Sequence, residues 1–106
     1  SGREAFVMRV LGIALDTQAA VPGRLRAAAE AKDMDDLVFV AHGLKGVAGS
    51  LQAGAVQELA TQTVDLARAG DMQAFSLAQD LADKTEALLA EIRTRIEVHR
   101  TPGAST

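Results

Sequence analysis

The chain has 106 residues, a formal net charge of −3 and 48% apolar residues, which suits one domain built round one core. An acidic balance with three Phe and no Trp or Tyr argues against a nucleic-acid binder, which needs a basic patch and rings to stack on bases. The absence of cysteine excludes disulfides, iron–sulfur clusters and a thiol nucleophile and fits a reducing cytoplasm; no uninterrupted apolar run approaches the ~18 residues of a membrane span.

Ser1-Gly2 reads as a cloning remnant, so the chain is expected to be a domain cut from a longer protein. From Arg3 to about Leu15, Phe6, Val7, Val10, Leu11 and Ala14 recur at helical spacing and predict one apolar face. Pro22-Gly23 then interrupts, because proline inside a helix kinks or breaks it. The pattern resumes at Leu25, Ala28 and Ala29, which predicts one kinked helix, or two in near succession, ending around Ala31. Asp33 is the expected N-cap of the next helix, whose apolar stripe is Leu37, Val40, Ala41, Leu44 and Ala48 and which runs to about Ser50. A short irregularity follows. Val56, Leu59, Ala60, Thr63, Leu66 and Ala67 then mark another helix, ended by Gly70, with Asp71 capping the last. That helix is expected from about Met72 to His99, and residues 101–106 form a disordered tail by composition. Short connections make antiparallel neighbours, so residues 3–100 are expected to form an all-α, antiparallel up-down four-helix bundle with a kinked or broken first helix.

The stretch VAHGLKGVAGSLQA, Val40 to Ala53, holds one of two histidines and three of nine glycines. On a helical wheel His42 lies opposite the apolar stripe, so its ring is expected in solvent. Val38 and Phe39 lie on one side of it along the helix, and Lys45, Gly46 and Gly49 on the other. Lys45 is one turn on, about 4.5 Å along the axis, within reach of an anion on the ring. Glycine weakens a helix by ~0.5–1 kcal/mol relative to Ala, and Gly43, Gly46 and Gly49 leave bare backbone that another protein can approach. Neutral imidazole is nucleophilic near pH 7, and phosphoryl transfer needs chiefly positioning and charge neutralisation. Those parts suit phosphoryl transfer to and from His42.

The residues Ala41, His42, Leu44, Lys45, Gly46, Ala48, Leu51 and Ala53 resemble the signature of histidine-containing phosphotransfer (HPt) domains, roughly A-H-x-L-K-G-x-A-x-x-L/I-G-A. Asp33, nine residues before the histidine, and the Gly70-Asp71 turn are similar to the wider pattern. The resemblance implies a four-helix bundle in bacterial two-component phosphorelays, here from a hybrid sensor kinase or a free-standing protein. It implies His42 as phospho-acceptor, Lys45 as phosphate-stabilising cation and Gly46 as clearance for the partner. Val38, Phe39, Gly43 and Gly49 are the expected partner-binding positions. The implied partners are response-regulator receiver domains, which supply Mg²⁺; the domain has no cofactor or metal of its own, no nucleic-acid partner and no membrane insertion, and is expected to be a cytoplasmic monomer. It carries no ATP lid or P-loop and so does not phosphorylate itself. The sequence departs from the family at Gln52, where Gly is usual, at Thr63, where Leu is common, and at Val64, where relatives carry a polar side chain that orients the ring. Gln57 and Gln62 are the substitutes on that helix.

Alone, an exposed histidine is usually inert, and a non-catalytic adaptor bundle is the alternative. A di-iron bundle needs Glu-x-x-His motifs on two helices, and the chain has none. The dimerisation domain of a histidine kinase usually has an acid after the histidine, where Gly43 stands. His99 is assigned no chemistry, and Arg24, Arg26, Arg68, Arg93, Arg95 and Arg100 read as solvated charges.

Overall fold

The computed structural model describes residues 2–100. Among them are five helices and no strand: α1 (Gly2–Gln18), α2 (Val21–Ala31), α3 (Met34–Ser50), α4 (Gly54–Arg68) and α5 (Gln73–Arg100). The last four close a ring, with α2 against α3, α3 against α4, α4 against α5, and α5 back against α2. Two, three and four residues separate α2, α3, α4 and α5 in turn, so successive helices run antiparallel. This is the expected four-helix bundle. Its first arm is broken into α1 and α2, and the expected tail lies outside the described residues.

The break falls earlier than Pro22-Gly23. Pro22 sits in the first turn of α2, where a missing N–H costs nothing because that group has no intrahelical acceptor. Gly23 is helical, and the chain bends at Ala19 and Ala20 instead.

The core holds Leu25, Leu37, Leu44 and Leu81, all fully buried, between the small side chains of Ala41, Ala48, Ala60, Ala78 and Ala82. Alanine at those positions lets the helices approach, while each buried leucine contributes roughly 1.5–3 kcal/mol by leaving water. Thr63 and Thr85 are also buried. Their hydroxyls donate to the carbonyls of Leu59 at 2.8 Å and Leu81 at 2.7 Å, so neither is left unpaired in the apolar interior.

Capping sets the helix boundaries. The Asp33 carboxylate accepts from the Asp36 N–H at 3.0 Å, and the Asp71 carboxylate from the Gln73 N–H at 2.9 Å. Three helices end in the same left-handed wrap. Asp33 N–H donates to Ala28 at 3.0 Å, Ala53 to Ala48 at 2.8 Å and Asp71 to Leu66 at 2.9 Å. The residue at the bend is Lys32 (φ 56°), Gln52 (φ 57°) and Gly70 (φ 72°). Only glycine occupies that conformation without a Cβ penalty. This is the physical reason a glycine suits position 52.

Arg26 ties α2 to α5. Its guanidinium donates to Glu86 at 2.8 and 2.9 Å and to Asp83 at 2.7 Å. Those bonds raise the guanidinium pKa and hold the Glu86 carboxyl below its ordinary value. Arg26 is therefore not the freely solvated charge its sequence position suggests.

The apolar face of α1 is only partly buried. Ala14 is buried, but Phe6 (61%), Val7, Val10 and Ile13 are exposed. Helix α1 packs chiefly on α5. Leu11 already lies level with the α3–α4 turn, so residues before it have passed the ends of α3 and α4 and have one neighbour rather than three. The arm Gly2–Ala31 also contains a window with mean hydropathy 1.2. The expectation of no span-like segment thus holds for uninterrupted runs and not for that average. Burial of Val21, Pro22 and Leu25 places the second half of the arm in the bundle core.

Gln52→Gly should raise the unfolding free energy by about 1 kcal/mol, read by chemical denaturation, by removing a left-handed non-glycine residue. Arg26→Ala should destabilise the bundle near neutral pH. Because the folded Glu86 pKa is depressed, its contribution is full above the unfolded value and is lost as pH falls through the folded one. Denaturation at stepped pH should therefore show the gap between variant and wild type narrowing in acid.

Candidate functional site

The rotation of α3 about its axis is fixed by its buried stripe. Leu37, Val40, Ala41, Leu44 and Ala48 are all buried, and together they turn His42 to the opposite, solvent-facing side. A 3.6-residue repeat allows no other placement once that stripe faces the core.

His42 lies on an open groove of about 550 Å³. Val38, Phe39 and Gly43 line it with the histidine. Phe39 is 70% exposed, a large apolar surface for a helix to leave in water. The end of α1 supplies Thr17 and Gln18, and the start of α2 supplies Val21 and Arg24. The bend at Ala19 and Ala20 therefore builds one wall. Arg68, in the last turn of α4, contributes a further side chain to the groove.

Gly43 and Gly46 are both exposed, and a Cβ added at either meets nothing within 4 Å. Packing within this chain does not require them. Gly49 differs: it is half-buried, and an added Cβ would meet the Gln57 Nε2 at 2.7 Å. The geometry sets Gly49 against α4 rather than beside the groove. Lys45 is half-buried and makes no ion pair among the described residues.

Helices α3 and α4 align through the Gly49–Gln57 contact. Counting along α3 from Gly49 gives Lys45, His42 and Val38 on one edge. Counting along α4 from Gln57 in the opposite direction gives Thr61, Val64 and Arg68. Val64 is 1% exposed and belongs to the core. Gln57 is about 10 Å along the axis from the level of His42, beside Gly49. Gln62 is exposed and falls on another edge of α4. Neither glutamine stands where it would take the place of a polar side chain at position 64.

The Hpt domain family profile matches residues 9–98. The chain belongs to the Hpt domain family. No curated protein and no solved structure matches it. Hpt domains carry phosphoryl groups on histidine in phosphorelays and interact with response-regulator receiver domains, and that general role is this chain's.

Two arginines of this Hpt domain were not legible as groove residues. Arg24 reaches over the Phe39 ring, 5.7 Å from its centroid, and pairs with Asp36 at 3.6 Å. Arg68 lines the same groove from α4. In sequence each is one charge on a polar helix face, with no spacing that marks it.

Alanine at Gly43 or Gly46 should raise helix stability by ~0.5–1 kcal/mol in thermal or denaturant unfolding. If the bare backbone serves a partner, the same substitutions should slow phosphotransfer from a receiver domain. A gain in stability with unchanged transfer would remove clearance as their purpose.

Proposed function

We propose that His42 is the phospho-acceptor. One ring nitrogen attacks the phosphorus of a receiver's aspartyl phosphate. The P–O bond to the carboxylate breaks, the P–N bond forms, and the imidazole releases a proton. The reverse sequence hands the phosphoryl group to the aspartate of another receiver. The receiver brings Mg²⁺ and most of the charge neutralisation, while this domain brings the nucleophile, the Lys45 ammonium and a docking face. Phosphoryl transfer depends mainly on positioning and electrostatics, and a rigid helix supplies both.

The observation that carries this reading is the position of His42. It stands in solvent on the groove, on a helix whose other side is locked in the core. Lys45 follows one turn on, without an ion pair to occupy it among the described residues. Phe39, Val38 and Gly43 give the surround an apolar and partly bare character suited to a protein partner. Gly46 leaves open space on the same face. A place at the end of a hybrid sensor kinase, or as a free cytoplasmic protein, fits equally.

Incubation with a phosphorylated receiver domain should place an acid-labile, base-stable label on the wild type and none on His42→Gln. Label that persists on that variant would overturn the assignment. Lys45→Ala should fold normally, by circular dichroism, and transfer more slowly. A charge-assisted contact to phosphate predicts a loss of about tenfold or more. Wild-type rates in Lys45→Ala would take the ammonium out of the mechanism.

A further inference from the structure

We propose that Arg68 is a second phosphate-facing cation of the His42 site, acting from α4 as Lys45 acts from α3. This rests on the reading of His42 as phospho-acceptor.

Arg68 and His42 line one groove. On the antiparallel pairing set by Gly49 and Gln57, Arg68 stands opposite Val38, one turn from His42. Helical side chains lean toward the N-terminus of their own helix. His42 therefore leans toward Val38, and Arg68, on a helix running the other way, leans toward the level of His42. Those leans bring the two side chains toward one level of the groove that both line.

The electrostatic setting points the same way. The whole chain carries a net charge of −3, yet the groove lining contains two arginines and no acidic residue. Arg24 is engaged by Asp36 and Phe39. Arg68 is exposed and makes no ion pair or hydrogen bond among the described residues, even with Asp65 one turn away. An unengaged guanidinium beside a nucleophilic ring matches a tetrahedral oxyanion, which it binds through two parallel N–H donors. Val64, one turn back on the same edge, is apolar and buried. Arg68 is thus the cation that α4 presents near His42.

The test uses phosphoramidate, a small anionic donor that needs no partner protein. Its P–N bond breaks as a new P–N bond forms to His42. Ammonia leaves, and the imidazole proton is released. Phosphohistidine formation is followed by ³¹P NMR for wild type, Arg68→Ala, Arg68→Lys and Lys45→Ala, with His42→Gln as the control for position. Arg68→Ala should react about tenfold more slowly at unchanged melting temperature, and Arg68→Lys should recover part of the rate. The loss should shrink as salt is raised. Wild-type rates in Arg68→Ala, with His42 still labelled, would overturn the role of Arg68 and leave the phospho-acceptor reading intact. No label on wild-type His42 would overturn both.

Discussion

The burial of one face of α3 governs everything else in this molecule. Leu37, Val40, Ala41, Leu44 and Ala48 face a ring of helices that contacts them from several sides. Rotating α3 by a single residue, 100°, would drive leucines into water at roughly 1.5–3 kcal/mol each. The helix therefore has one permitted orientation, and that orientation holds His42 in solvent. On the proposed function the chemistry needs no movable scaffold: the imidazole is presented by the same packing that folds the chain.

That rigid presentation explains why the helix tolerates glycine beside the histidine. Each costs helix stability, but the Asp33 cap and the buried stripe hold α3 independently of Gly43 and Gly46. The bare backbone can then serve an approaching protein. The groove adds to this. Phe39 and Val38 give it apolar surface, the bend between α1 and α2 gives it a wall, and Arg24 and Arg68 make it cationic on an otherwise acidic chain. On the proposed function, a receiver domain offering an aspartyl phosphate would bring negative charge to that place.

Much of this was readable from residue spacing. The stripe of α3 repeats at the helical period, so the exposure of His42 followed from arithmetic. Asp33, Gly70 and Asp71 have the capping chemistry their positions need, and the structure shows those bonds. What escaped the sequence depended on distant parts of the chain. The apolar residues of α1 have helical spacing, but whether they are covered depends on where α3 and α4 end. Arg26 looked solvated because Asp83 and Glu86 lie far away in sequence. Arg24 and Arg68 reach the groove through helix pairing that no local pattern encodes. Gly49 resembled Gly43 and Gly46 by position, yet it packs against Gln57. Gln52 takes a left-handed turn that family members usually fill with glycine, and its backbone angle accounts for that preference.

The two histidines allow a direct test of the central claim that packing of α3 presents the reactive ring. Both are exposed, so exposure alone does not distinguish them. His42 lies on the groove, whereas His99 lies near the end of α5. Mass-spectrometric mapping of the phosphorylated wild-type chain, digested under alkaline conditions that preserve phosphohistidine, should find the modification on the peptide containing His42 and none on that containing His99. Modification of His99, or equal modification of both, would contradict the account.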